Sequence, residues 1–257
     1  MELHELVDPS AKPRKVAGGF GFTQGPVFSR RGYLLFSDMG TDRILKWERG
    51  QVTTYRENSN TSNGLTFDHQ GRLLACEHKG RVTRTEKNGA ITVLASDGLK
   101  APNDLVYAID GSIYFSDLPA SRLYQITPRG QVRVAAQDCC GPNGVALAPN
   151  QLKLYAADSG ERIIRVYDVS PDGALSNSRV LAQAQCGGLK TDEAGNVWAA
   201  SGGAIRIFDG KGRPIGSVAI PEEPTNLAWG EGFRGLYITA QKSVYHLATK
   251  VPGTRTF

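Results

Sequence analysis

The sequence predicts an all-β fold: a six-bladed β-propeller with four-stranded antiparallel blades. Two observations carry this reading. A turn followed by an apolar strand recurs at Gln24-Gly-Pro-Val-Phe28, Asn63-Gly-Leu-Thr-Phe67, Asn103-Asp-Leu-Val-Tyr107, Asn143-Gly-Val-Ala-Leu147, Gly187-Gly-Leu-Lys-Thr191 and Thr225-Asn-Leu-Ala-Trp229, with steps of 39, 40, 40, 44 and 38 residues. The end of the next strand recurs at Asp38, Glu77, Asp117, Asp158, Ser201 and Ala240, with steps of 39, 40, 41, 43 and 39. Two landmarks with one period near 40 residues define a repeat, and a four-stranded unit of that length is a propeller blade.

Residues 1–12 read as an N-terminal arm, and 1–257 as one propeller domain. Arg14-Lys-Val-Ala17 is strand-like. Within each repeat the first strand follows the turn. The second is short and bounded by Gly or Asp turns, as in Leu73-Leu-Ala-Cys76 and Ser112-Ile-Tyr-Phe115. A third follows, as in Arg43-Ile-Leu-Lys-Trp47 and Ile163-Ile-Arg-Val-Tyr167. A fourth comes after another Gly turn, as in Val52-Thr-Thr-Tyr55 and Ala90-Ile-Thr-Val-Leu94. No stretch shows a helical period of useful length. The sixth repeat runs out after its third strand, Ser243-Val-Tyr-His-Leu247, so the N-terminal strand is expected to complete it and close the ring.

The first strand of each blade lines the channel, so the six turns gather at one mouth. That brings Gln24, Asn63, Asn103, Asn143, Gly187 and Thr225 around the axis. The second strand returns to the same face, which sets Asp38, Glu77, Asp117 and Asp158 in an outer ring. Amides with carboxylates behind them suit a hard cation. Each residue also has an ordinary explanation, since Asn and Asp punctuate turns. The common channel mouth favours a small-molecule ligand or substrate.

Charge is +5, from 30 basic and 25 acidic residues. Both signs are scattered, with no basic run of the kind that binds nucleic acid. No apolar stretch reaches the length of a membrane span. The N-terminus has no apolar signal region, so a cytoplasmic location with reduced thiols is expected. Phosphate loops, dinucleotide-binding glycine patterns, GxSxG and HExxH are absent, and no nucleotide cofactor is expected.

The motifs Phe22-Thr-Gln-Gly-Pro-Val-Phe28, Tyr33-Leu-Leu-Phe-Ser-Asp38, Asn63-Gly-Leu-Thr-Phe-Asp68, Gly71-Arg-Leu-Leu-Ala-Cys-Glu-His78, Pro102-Asn-Asp104 and Gly141-Pro-Asn-Gly144 together resemble the gluconolactonases, senescence marker protein and luciferin-regenerating enzyme, over nearly the whole chain. The resemblance implies a six-bladed propeller that hydrolyses sugar lactones with a divalent cation at the channel mouth. It places candidate metal positions at Gln24, Asn103 and Asn143. Two of the family's acidic ligands are replaced, a Glu by Gln24 and an Asp by Gly187. Ligand charge governs hard-cation affinity, and glycine cannot act as the family's general base. Asn63, Lys100, Asn103 and Asp104 are the candidates for holding substrate.

The leading reading is a divergent lactone or ester hydrolase with a degenerate metal site. His78, at the end of a second strand, is a candidate proton carrier, or else a turn histidine bonded to backbone. Cys140 aligns with Lys100, and Cys186 precedes Gly187, so both approach the mouth. They are candidates for ligating a softer metal such as zinc, copper or iron, or for nucleophilic catalysis, against the alternative of small buried residues. A non-catalytic small-molecule-binding propeller is the third reading. Calcium, zinc, iron and copper are not distinguished.

Overall fold

The computed structural model describes residues 1–254. Residues 255–257, the end of the expected domain, lie outside them. Six four-stranded antiparallel sheets follow one another along the chain. Their inner strands are Thr23–Ser29, Ser62–Phe67, Pro102–Tyr107, Pro142–Leu147, Leu189–Thr191 and Pro224–Gly230. Each inner strand packs on the next, and the sixth packs on the first. Arg14–Gly18 pairs with Ser243–Ala248, from Arg14 opposite His246 to Gly18 opposite Ser243. The ring therefore closes through the N-terminal strand, as the unfinished sixth repeat implied.

Burial sorts the strands by place in the blade. Second strands such as Leu73–Glu77, Ile113–Asp117 and Gly235–Ala240 are buried at every position. Both of their faces pack against neighbouring blades, so they read as continuous apolar runs rather than alternating ones. The outer strand Gln51–Arg56 is exposed over most of its length. Core clusters lie between blades. One brings Trp198 of blade 5 against Trp229 of blade 6, edge to face at 5.1 Å between ring centroids.

The arm departs from expectation. It contains a one-turn helix, Leu3–Leu6, in which the Glu5 carboxylate accepts from the Glu2 N–H. Four residues are too few to show a helical period, so the element was invisible to pattern. Leu6 is fully buried in the cluster of blades 5 and 6, a contribution of roughly 1.5–3 kcal/mol. Among the described residues no helix is long and apolar enough to cross a membrane.

Each inner strand except the fifth slips register at its start. The shifts fall between Gln24 and Val27, Ser62 and Leu65, Pro102 and Leu105, Pro142 and Val145, and Pro224 and Asn226. A bulge of this kind re-aims side chains. Here it includes Asn63, Asn103 and Asn143 and their successors, and so determines what faces the axis.

Candidate functional site at the channel mouth

Hydroxyls from neighbouring blades hold the bulges in place. Ser37 Oγ donates to the Asn63 carbonyl at 2.8 Å, Ser116 Oγ to the Asn143 carbonyl at 2.5 Å, and Thr225 Oγ1 to the Thr23 carbonyl at 2.8 Å. The leading turns are held by the second-strand carboxylates. Asp38 accepts from the N–H groups of Gly21 and Phe22, Asp117 from those of Lys100 and Ala101, and Asp158 from that of Cys140. Glu77 instead takes the Arg56 and Arg81 guanidiniums and the Thr83 hydroxyl. All four carboxylates are essentially fully buried. The expected outer ring exists in position, but its oxygens are engaged by groups of the protein, across a blade boundary in the case of Arg56 and Glu77, rather than turned toward a ligand.

Three expected residues do converge. Asn63 Nδ2 lies 2.9 Å from His78 Nε2, and Asn103 Nδ2 lies 3.5 Å from the same atom. With amide N–H groups directed at Nε2, the network assigns the ring proton to Nδ1. Burial lowers the His78 pKa below its ordinary value of 6.5, against an opposing pull from Asp117. The ring is therefore neutral near pH 7. Asn63 is 2% exposed, and its Oδ1 is buried with no hydrogen-bond partner among the described residues. An unpaired buried carbonyl costs about 1–3 kcal/mol, a cost that a donor reaching this atom would relieve. The backbone N–H of His78 donates to the Thr61 carbonyl at 3.0 Å, and neighbouring Glu77 anchors the same strand end.

Asn143 borders the other half of the mouth. Its Nδ2 makes one long contact, 3.4 Å to Ser159 Oγ. That half opens into a pocket of about 540 Å³ bounded by Asn143, Ser159, Cys186, Gly187, Arg206 and Glu223 among others.

Several expected residues sit elsewhere. Asp104 lies one position deeper than Asn103 and is 2% exposed. Its carboxylate accepts from the Leu105 N–H at 3.0 Å and from Asn226 Nδ2 and the Val145 N–H at 3.4 Å each, with Lys190 Nζ at 3.9 Å. It forms part of a channel floor. Lys100 is exposed, and its ammonium reaches the Pro119 carbonyl of its own blade at 3.3 Å. Gln24 folds back so that Oε1 accepts from the Gly25 N–H at 3.2 Å.

The cysteines have environments that oppose thiolate formation. Cys186 packs in the cluster between blades 4 and 5, and burial pushes its thiol up to about 12. Cys140 is exposed, and its thiol donates to Glu161 Oε1 at 3.5 Å, a contact that raises its pKa. Cys140 does not border the pocket that Cys186 borders. Cys76 and Cys139 are buried.

The donor set does not fit a tightly held hard dication. Gln24, Asn63, Asn103 and Asn143 are neutral, and the carboxylates of Asp38, Glu77, Asp104, Asp117 and Asp158 are already engaged. Among the described residues no three His, Cys, Asp or Glu side chains gather as ligands. Gly187 adds a steric reason: a Cβ there would lie 2.5 Å from the Thr225 carbonyl oxygen. Blade 6 packs too closely there for any side chain.

The chain is 26% identical over 305 residues to the gluconolactonase of Zymomonas mobilis subsp. mobilis, covering 98% of this chain and 85% of that protein. It superposes on a gluconolactonase structure from Xanthomonas campestris with a TM-score of 0.90 at 27% identity, covering 96% and 92% of the two chains. A structure of luciferin-regenerating enzyme shares the fold, with a TM-score of 0.83 at 19% identity over 96% and 99% of the chains. The model of the SMP-30/Gluconolactonase/LRE-like region matches residues 22–242, and with the ring, the bulges and the mouth described, the chain belongs to that family.

Proposed function

We propose that the protein hydrolyses a small lactone at the channel mouth, with His78 as general base in place of the family's missing carboxylate. The observation that carries this reading is the convergence of Asn63 and Asn103 on His78 Nε2 beside the unpartnered Asn63 oxygen. A water that displaces the amide N–H groups from Nε2 donates one proton to Asn63 Oδ1 and presents the other to Nε2. As the water oxygen adds to the lactone carbonyl, Nε2 takes its proton. The Asn103 and Asn143 amide N–H groups face the oxygen that becomes negative, as preorganised donors do in acyl transfer. Collapse breaks the ring C–O bond, and the imidazolium returns the proton to the departing alkoxide. The products are a hydroxy acid and the free base.

The relatives support the reaction class, since gluconolactonases stand among them. The neutral donor set supports a route with no metal step, and the raised thiol pKa values weigh against a cysteine nucleophile. The test is release of acid from a panel of sugar lactones, with and without a chelator. A rate that survives chelation and is lost in His78→Asn supports the reading. No hydrolysis of any lactone, or an unchanged rate in the variant, overturns it.

A further inference from the structure

Arg206 is half-buried on the side of blade 5 that faces blade 4, with its guanidinium 5.3 Å from the Phe208 ring centroid. Other arginines sunk into the fold hold carboxylates: Arg56 with Glu77, Arg72 with Asp68, Arg165 with Asp158. Among the described residues Arg206 has no carboxylate within 4.0 Å. It borders the pocket that opens over Gly187, together with Asn143 and Ser159. A cation fixed by stacking, partly withdrawn from water and unpaired, favours an anion in the adjoining space. Glu223 borders the same pocket from blade 6. It makes no ion pair with Arg206, and its carboxylate suits hydroxyl donors.

We infer that this pocket binds the anionic substituent of a polyhydroxylated ligand, a carboxylate, sulfonate or phosphate on Arg206, with hydroxyls on Glu223. This rests on the lactonase reading for the orientation of the substrate, because Asn143, the proposed donor to the developing oxyanion, also borders the pocket. The scissile carbonyl then lies at one end of the molecule and the charge at the other. The change from an acidic family position to Gly187 removes the repulsion that would otherwise face such a charge.

The test uses sorbitol and sorbitol 6-phosphate, which differ by one anionic group and contain no lactone. Calorimetric titration should show the phosphate ester binding roughly tenfold to hundredfold tighter, the scale of one charge-assisted contact. The preference should shrink with salt, vanish in Arg206→Gln and persist in part in Arg206→Lys, with circular dichroism confirming that both variants fold. Equal binding of the two probes, no binding of either, or a preference that survives Arg206→Gln overturns the inference. Lactone turnover measured alongside separates the two proposals. Turnover without the preference leaves the lactonase reading standing and removes this one, and the preference without turnover does the reverse.

Discussion

Asp104 of blade 3 and Asn226 of blade 6 meet at 3.4 Å although their blades lie on opposite sides of the ring. Lys190 of blade 5 approaches the same carboxylate oxygen at 3.9 Å. The channel is therefore bridged beneath the mouth, and the site is a cup with a polar floor. Replacing Asn226 with Leu leaves the buried Asp104 carboxylate short of a donor, which should lower stability by about 1–3 kcal/mol. Urea denaturation at neutral pH checks this, and a midpoint equal to wild type would show that the bridge contributes nothing.

His78→Asn should reduce lactone hydrolysis by about 10²–10⁴-fold, the usual contribution of a general base. The pH profile follows from the direction of its shift. A base works deprotonated, and burial holds the His78 pKa below 6.5. The rate should stay level through neutral pH and fall only as pH drops through that lowered value. An acidic limb with its midpoint above 6.5 would assign the titration to another group.

Gly187→Ala should destabilise the protein by about 1–3 kcal/mol, the range for forcing atoms into a packed site, since its Cβ would press on the Thr225 backbone oxygen. Gly187→Asp, alone or with Gln24→Glu, should fail for the same reason to create a high-affinity calcium site. Calorimetric titration with calcium measures this directly, and tight binding by the double variant would mean that blade 6 yields.

Cys140→Ser and Cys186→Ser should each keep lactone turnover within a few-fold of wild type, as expected for thiols whose pKa values are raised. Iodoacetamide followed by mass spectrometry should modify the exposed Cys140 and spare the buried Cys186. Loss of turnover in either variant would restore sulfur to the mechanism.

Glu77→Leu removes the partner of Arg56 and Arg81 at a fully buried position. Breaking such a group from one side costs about 3–5 kcal/mol. The adjacent His78 should lose its placement as well, so turnover should fall even in the folded fraction, measured by activity per folded molecule at low temperature.

The architecture was legible in the sequence because a propeller repeats its turns, and the turns at Asn63, Asn103 and Asn143 keep their residue types. Closure was legible because the sixth repeat lacks a strand. The site was legible by ring position but not by direction. Asn103 and Asp104 are neighbours in sequence, yet a bulge sends one to the mouth and the other to the floor, and hydrophobic pattern carries no record of a bulge. Arg206 was missed because it belongs to no repeated turn. Its signal is a negative one, a sunken arginine without a carboxylate, which only three-dimensional neighbours reveal.

The pairing of Arg14–Gly18 with Ser243–Ala248 has a consequence for how the protein is made. The first partner leaves the ribosome roughly 10–50 s before the second at ordinary synthesis rates. Throughout that interval the nascent chain carries a strand with no mate. Unpaired edges template association between chains, so neighbouring copies on one message could exchange these strands. Yield should therefore depend on translation speed and chaperone supply more than the stability of the finished ring would suggest.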